Sequence, residues 1–505
     1  MNLYKIKNVV FSWIIRNYYQ IIISLVGIFL RMFKFGSIPN GITTDEAMTG
    51  YNAWTLLHYH TDMWGYHYPF YLKAWGSGMN ALYEYLLIPI IKIWGLNIYT
   101  ERSISLILGI LLLPLFYLFL KKIWNKQVAC IGLTLLSINP WAIMIARQGL
   151  ESNILPFTIL ISFTLFANKY YRWAAAFFAI SIYAYSSVLL ALPIMIFILY
   201  VWALYKHQIT LRMAFESFGV FLVVSLPMLL WVAVNIFNIK SFDIGVFSVE
   251  KFTMIRQTIG GDLKSNVTLL LTQFDGLMQN GTKISSYIYI ILLIFAFIGL
   301  IQSIICRKII ILAWLSGIIS LIFLVQGNVN RYNLSWLLVL MLSSIGLWNL
   351  LIVFINRSLR QRVFLYLLLI IILIIPHCIF LNSYFRLFNS LPAIQDVYNQ
   401  GFEQSLNRAK KENKSINIVQ PANQRYSLVL FYDRPTPQNF MKTVQVEQGE
   451  FEFTPVTKFT NYTFTVVPVK NNNTVVIAPT YVDLENSEKE YDKQSFGIYT
   501  VYIPR

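Results

Sequence analysis

Apolar residues recur along the first 380 or so positions in runs of about 20, the length that crosses a bilayer as an α-helix, and then stop. These runs predict about eleven spanning helices, at roughly 13–32, 104–120, 127–145, 153–168, 173–188, 189–205, 214–235, 285–305, 309–325, 333–355 and 363–382. Two of the polar stretches between them are long. Residues 33–103 are rich in Tyr and Trp and enclose the apolar run Leu82 to Trp94, which contains Pro89 and is short for a span. It reads as a helix lying at the membrane surface. Residues 236–284 carry Asp243, Glu250, Arg256, Asp262 and Lys264, and their apolar pieces, such as Val267 to Leu271, are too short to cross. From about Ser383 the pattern turns charged and polar. Ala393 to Asn413 has helical spacing of Val397, Phe402, Leu406 and Ala409, and Tyr426–Tyr432, Thr463–Val469, Thr474–Ile477 and Ile498–Ile503 read as short strands. The pattern predicts an all-α polytopic membrane domain over 1–382, followed by a small soluble α/β domain over 383–505.

Charge adds orientation. Only 12% of residues are charged and 57% are hydrophobic, so the net charge of +17 is not the footprint of a nucleic-acid-binding protein. In a membrane protein a basic excess collects in cytoplasmic loops. Alternate loops hold Lys121, Lys122 and Lys126; Lys169 and Arg172; Lys206 and Arg212; Arg307 and Lys308; Arg357, Arg360 and Arg362. With Lys5, Lys7 and Arg16 these define one basic side. The N-terminus is therefore expected in the cytoplasm, and 33–103, 236–284 and 383–505 outside a plasma membrane. The first apolar run is followed by Arg31, Phe33 and Lys34 rather than a small-residue cleavage site, and reads as an uncleaved anchor. Cys130, Cys306 and Cys378 all sit in apolar stretches; an odd number of buried thiols argues against a disulfide framework.

The acids lie opposite. Residues 1–240 contain only Asp45, Glu46, Asp62, Glu84, Glu101, Glu151 and Glu216, all but the last in or beside outward loops. No Asp or Glu occurs between Asp275 and Asp396. Ion-coupled transporters bury carboxylates in their spans, so acid-free later spans weigh against a transporter or lipid flippase, the main alternative class. A membrane scaffold that presents the tail is a third. There is no phosphate-binding glycine loop, no His-Glu-x-x-His and no Asp-x-Asp; Asp483-Leu-Glu485 is a poor substitute for the last. His58, His60 and His67 with Asp62 could form a metal site, since His-x-His on a strand shares a face, but a polar loop with chance histidines explains them better.

The stretch Gly41-Ile-Thr-Thr-Asp-Glu-Ala-Met-Thr-Gly-Tyr51 sets two adjacent carboxylates just beyond the outer end of the first span. Neighbouring side chains point apart, so Asp45 and Glu46 are not a facing glycosidase pair. One can act alone as a base while the other holds position; a helix N-cap with a solvated acid is the plain alternative.

Asp45-Glu46-Ala47 with Gly50-Tyr51-Asn52-Ala53 resembles the first-loop signature of the GT-C superfamily of membrane-embedded glycosyltransferases. Within it the likeness is to bacterial relatives of the dolichyl-phosphate-mannose–protein mannosyltransferases and the aminoarabinose transferases. The order continues with Tyr68-Pro69, Gly76-Ser77-Gly78, Leu82-Tyr-Glu-Tyr-Leu86, Pro89, Gly95 and Arg102-Ser103. Arg147-Gln148-Gly149-Leu150-Glu151 with Asn153 resembles an Arg-x-Gly-Leu-Glu-x-Asn segment, and Asn330-Arg331-Tyr332-Asn333 a late Asn-Arg motif. The resemblance covers roughly 15–380 and implies a polyprenyl-phosphate sugar (undecaprenyl phosphate in bacteria) as donor. The acceptor would be a hydroxyl of a surface glycan, lipid or protein, attacked on the outer face with inversion. Asp45 is then the candidate base, with Glu46 beside it. Arg147 and Arg331, with Lys73, are the candidate ligands of the donor phosphate, since Arg grips phosphate in a bidentate way. Tyr51, Arg102 and Glu151 are further substrate-binding candidates, Arg102 also being free to pair with Glu101. The resemblance implies no certain cofactor; some members of the superfamily use a divalent ion.

Overall fold

The computed structural model describes residues 3–505 except 75–77, 238, 244–247, 250, 253–259, 356, 420–424, 448–455, 470, 483 and 485–489, with side chains from residue 17 onward other than those of 242, 243 and 248. Gly76, Ser77, Glu250, Arg256, Asp483 and Glu485 therefore lie outside the described residues, as do the side chains of Lys5, Lys7 and Arg16.

Each apolar run forms helix. The described chain begins with α1 (Leu3–Met32) and, after a loop, continues as α2 (Thr44–Tyr59), α3 (Leu82–Trp94), α4 (Ile98–Ile123), α5 (Lys126–Ile138) and α6 (Pro140–Ile145). A small hairpin of β1 (Tyr71–Leu72) and β2 (Met79–Asn80) lies between α2 and α3. The bundle is completed by α7 (Leu155–Ala167), α8 (Tyr171–Ala184), α9 (Val188–Tyr205), α10 (Leu211–Asn235), α11 (Leu263–Thr272), α12 (Lys283–Ile305), α13 (Ile309–Leu324), α14 (Asn333–Ile355), α15 (Leu359–Leu369) and α16 (Ile375–Asn382). A second hairpin, β3 (Phe242–Asp243) with β4 (Ser248–Val249), precedes α11. Among the described residues six helices are long and apolar enough to cross a bilayer: α4, α9, α10, α12, α14 and the continuous stretch Leu359–Ser390. Asn17–Met32, Lys126–Ile138, Glu151–Ala167 and Ile309–Leu324 are shorter apolar helices.

The run expected at 127–145 breaks at Asn139, whose side chain accepts from Ala142 N while Pro140 opens α6. Proline at the first helical position needs no N–H there, so the break is written locally. α12 and α14 approach backbone to backbone: a Cβ on Gly299 or Gly346 would run into the facing carbonyls of Leu342 and Phe295. Small residues permit such close helix contact where lipid, not water, surrounds the bundle. Large apolar side chains such as Leu25, Phe29, Leu118, Phe197, Val223, Phe297 and Phe323 point outward, as lipid-facing surfaces require. Cys306 and Cys378 are on that outer surface rather than buried, Cys130 is half-buried, and all three are free.

The tail is a mixed seven-stranded sheet with helices. It contains α17 (Pro392–Val397), α18 (Phe402–Lys410), β5 (Ser415–Val419), α19 (Tyr426–Asp433), α20 (Pro437–Thr443), β6 (Gln445–Val446), β7 (Val456–Phe459), β8 (Tyr462–Thr465), β9 (Thr474–Pro479), β10 (Tyr491–Phe496) and β11 (Tyr499–Pro504). The strand order is β10-β11-β9-β5-β8-β7-β6, with β5 parallel to both neighbours. Tyr426–Tyr432, expected as a strand, is helical. Its aromatic and β-branched composition favours a strand, but every residue from Tyr426 to Phe431 is buried, and the segment packs along α2. Burial on all sides overrides a weak local preference.

One continuous apolar core runs from the bundle through α2 into the tail, holding Ala47, Met48 and Tyr51 together with Leu428, Phe431, Phe459 and Tyr499. Gly50 lets the Phe431 ring sit on α2, where a Cβ would come within 2.7 Å of it. Tyr51 Oη donates to Pro435 O (2.5 Å), and Ser427 Oγ donates to Thr44 O (3.0 Å). Ile42 N donates to Tyr398 O (2.8 Å), and Asn399 Nδ2 returns a bond to Ile42 O (3.1 Å). Gly41, at φ +87°, lies under Tyr398 O where no side chain fits.

Candidate functional site

The loop after α1 is tied down before it becomes α2. Thr43 caps the helix: its Oγ1 accepts from Glu46 N (3.1 Å), and Glu46 Oε2 accepts from Thr43 N (3.0 Å). This reciprocal box fixes the first turn. It also sends the two adjacent acids in different directions. Asp45 is exposed; Glu46 is fully buried.

Glu46 meets Arg102 of α4, with Nε on Oε1 at 2.7 Å and Nη2 on Oε2 at 3.0 Å. Gly149 N adds a bond to Oε1 at 2.9 Å. Burial pushes the Glu46 carboxyl up, but Arg102 and the Thr43 and Gly149 N–H donors outweigh it and hold it below the usual carboxylate range. Arg102 also donates to Pro39 O and Gly41 O, both at 2.8 Å. One ion pair thus joins the first loop, the start of α4 and the turn before α7. The expected pairing of Arg102 with Glu101 does not occur, because consecutive side chains on a helix do not face each other. The Glu101 carboxylate lies instead against Gly149, which has no side chain to displace it. Nearby, burial pushes the Glu84 carboxyl of α3 up to about 8, so it holds its proton at neutral pH.

Asp45 lines a cavity of about 510 Å³ with Thr44, Thr49, Gln148, Glu151, Asn280, Asn328, Asn330 and Arg331. The first turn of α2 favours a negative charge through the helix dipole. Arg331 donates from Nη1 to Gln326 O (2.9 Å), and its backbone N donates to Asn328 Oδ1 (2.7 Å). Glu151 accepts from Asn80 N of the β1–β2 hairpin. Gln148 donates to Gln279 O at 2.7 Å, and Asn330 to Asn280 Oδ1 at 3.3 Å. The wall is rich in amides and hydroxyls, groups suited to sugar hydroxyls.

The tail closes one side. Asp396, Asn399, Arg425 and Tyr481 line the same cavity. Arg425 bonds Asp396 Oδ1 (3.2 Å) and Val419 O (3.1 Å), and its guanidinium sits 5.2 Å from the centre of the Tyr499 ring. None of these four stood out in the sequence, since nothing local marks a tail residue that returns to the first loop. The amides Gln148, Asn328 and Asn330 did carry a signal, as polar residues massed just before apolar runs.

The structure brings Asp45, Glu46, Glu151 and Arg331 to the cavity and places the other candidates elsewhere. Arg147 is buried and donates to the carbonyls of Arg31 (2.7 Å), Lys34 (2.8 Å) and Ile38 (2.8 and 3.0 Å). Its charge satisfies the orphan carbonyls that end α1, a task a phosphate would displace. Tyr51 is buried under Pro435. Lys73 stands over the Trp64 ring, 5.0 Å from its centre. The histidines are used locally: His58 Nδ1 lies 2.8 Å from Trp54 O, and His60 Nδ1 2.7 Å from Tyr68 Oη. Asp62 Oδ1 accepts from Trp64 N and Tyr66 N. Among the described residues no three His, Cys, Asp or Glu side chains come together to hold a metal ion.

No protein-family model matches the chain. No curated protein matches it significantly either. Among solved structures it is similar to ArnT from Cupriavidus metallidurans in the apo state, at TM-score 0.56 and 10% identity over 98% of both chains. The same protein bound to undecaprenyl phosphate matches at TM-score 0.56 and 9% identity, over 97% of this chain and 98% of that one. The chain is also similar to the oligosaccharyltransferase AglB from Archaeoglobus fulgidus in complex with an inhibitory peptide and a dolichol-phosphate, at TM-score 0.50 and 12% identity. That match covers 98% of this chain and 75% of AglB. It spans 64% of the length of the apo oligosaccharyltransferase structure from the same organism. From the helical bundle through the sheet of the tail, the chain has the fold of ArnT.

Proposed function

We propose that the protein transfers a sugar from a polyprenyl-phosphate donor to a hydroxyl of a cell-envelope acceptor, on the outer face of the plasma membrane and with inversion. One observation carries the reading: an exposed acid on a capped helix start, Asp45, shares a polar cavity with Arg331. The acceptor oxygen attacks the anomeric carbon, the bond from that carbon to the phosphate oxygen breaks, and the acceptor proton passes to Asp45. Arg331 offsets the charge that gathers on the departing lipid phosphate. A single base with direct displacement inverts the anomeric centre. The ArnT structure with undecaprenyl phosphate and the AglB structure with dolichol-phosphate support the donor class. Amides around the cavity and the closing tail suit a sugar on one side and a glycan, lipid or protein hydroxyl on the other. The acid-free spans after Asp275 weigh against transport.

Incubating the purified protein with a panel of radiolabelled polyprenyl-phosphate sugars tests this, with release of label to acceptor or water as the readout. A panel left wholly unconsumed by folded protein would overturn the reading. Arg331→Ala is expected to raise the donor concentration needed for half-maximal rate about tenfold or more, the scale of one charged hydrogen bond to phosphate. Unchanged donor dependence would remove Arg331 from the phosphate. The orientation is tested by cysteine labelling in a background without Cys130, Cys306 and Cys378. Asn472→Cys, exposed on the tail, is expected to react with an impermeant maleimide in intact cells, and Lys121→Cys only after lysis. The reverse pattern would put the cavity in the cytoplasm.

A further inference from the structure

A second cavity of about 510 Å³ lies where α2, α3 and the tail meet, and shares no lining residue with that of Asp45. Trp54 and His58 of α2, Ile91 and Lys92 of α3, Leu96 just after α3, and Arg434 of the tail form its walls. Its described lining holds two basic side chains, Lys92 and Arg434, and no carboxylate. Arg434, at φ +54° just past α19, is fixed by bonds from Nη2 to Leu96 O (2.8 Å) and from Nε to Phe431 O (3.3 Å). Its Nη1 makes no bond among the described residues. Lys92 is exposed and lines the same cavity.

The depth of this cavity follows from its neighbours. Gly95 and Leu96 directly precede α4, which is long and apolar enough to span. Ile93 and Trp94, at the end of α3, are 68% and 66% exposed, and Tyr99 in the first turn of α4 is also exposed. Exposed Trp, Tyr and Ile at a span end are the anchors of a membrane–water boundary. The cations thus stand at the level of lipid headgroups, above apolar Ile91 and Leu96.

We infer that this cavity is a docking site for the phosphate headgroup of an anionic bilayer phospholipid, clamped by Arg434 and Lys92. A prearranged guanidinium takes a phosphate in bidentate fashion, and an ammonium on the same cavity adds a second positive charge. The site requires no part in sugar transfer.

The test uses the full-length, delipidated protein in detergent, with binding read by native mass spectrometry. The probes are phosphatidylglycerol, a diglucosyl diacylglycerol with the same acyl chains but no phosphate, and inorganic phosphate. Wild type is expected to bind phosphatidylglycerol at least about tenfold more tightly than the glycolipid. Lys92→Gln, which leaves the carbonyl bonds of Arg434 intact, is expected to cut that preference severalfold. Arg434→Gln with Lys92→Gln is expected to abolish it, and Arg434→Lys to keep part of it. Equal binding of the two lipids, or full preference in Lys92→Gln and the double variant alike, would overturn the proposal. Competition by millimolar inorganic phosphate as effective as the lipid would make this a soluble-phosphate site and overturn the lipid assignment.

Discussion

Asp45→Asn is expected to leave the protein folded and able to take up its lipid-linked donor, while slowing sugar transfer about 100- to 10,000-fold. Asparagine keeps the size and the accepting oxygen of the side chain but cannot receive a proton at neutral pH. Asp45 is exposed, so the change disturbs no packed core, and the cap of α2 is made by Thr43 and Glu46 rather than by Asp45. No neighbour can take over. The Glu46 carboxylate is held away by Arg102, and Glu151 is engaged by the hairpin backbone at Asn80. The measurement is single-turnover transfer at saturating donor, with donor binding and thermal midpoint taken on the same preparation. A variant with wild-type transfer would return Asp45 to the status of a solvated cap-proximal acid, and the mechanism built on it would fall.

Glu46→Gln is expected to fail for a different reason. It leaves the Arg102 guanidinium buried without a counter-charge, and breaking one side of a buried pair costs about 3–5 kcal/mol. Its partner's bonds also hold Pro39 and Gly41, so the loop carrying Asp45 loosens together with the fold. A clearly lowered thermal midpoint and poor yield should therefore accompany any loss of activity, whereas Asp45→Asn keeps the wild-type midpoint. If Glu46→Gln unfolds at the wild-type temperature yet transfers nothing, Glu46 is a reacting acid after all.

The contrast between these two neighbours marks the limit of what was legible in one dimension. Span positions are read from length and apolarity, which the chain states outright, and Asp45 is placed by its distance beyond the first span. The fate of an arginine is not stated that way. Arg102, Arg147 and Arg331 have the same chemistry and similar depth. Only tertiary geometry decides that the first pairs with Glu46, the second caps α1, and the third faces the cavity. Tyr426–Tyr432 has a strand's composition and becomes a helix because α2 lies against it. Arg425 and Asp396 had no local motif, since their relation to Asp45 exists only through the folded tail.

The bond from Ser427 to the Thr44 carbonyl joins residues 383 apart in the chain. During synthesis the loop bearing Asp45 leaves the ribosome long before the segment that covers it. The wall around Asp45 is therefore incomplete through most of synthesis, and closes only once the tail has been made and folded. A nascent chain thus carries the acid of α2 without the assembled cavity around it until the tail has been made.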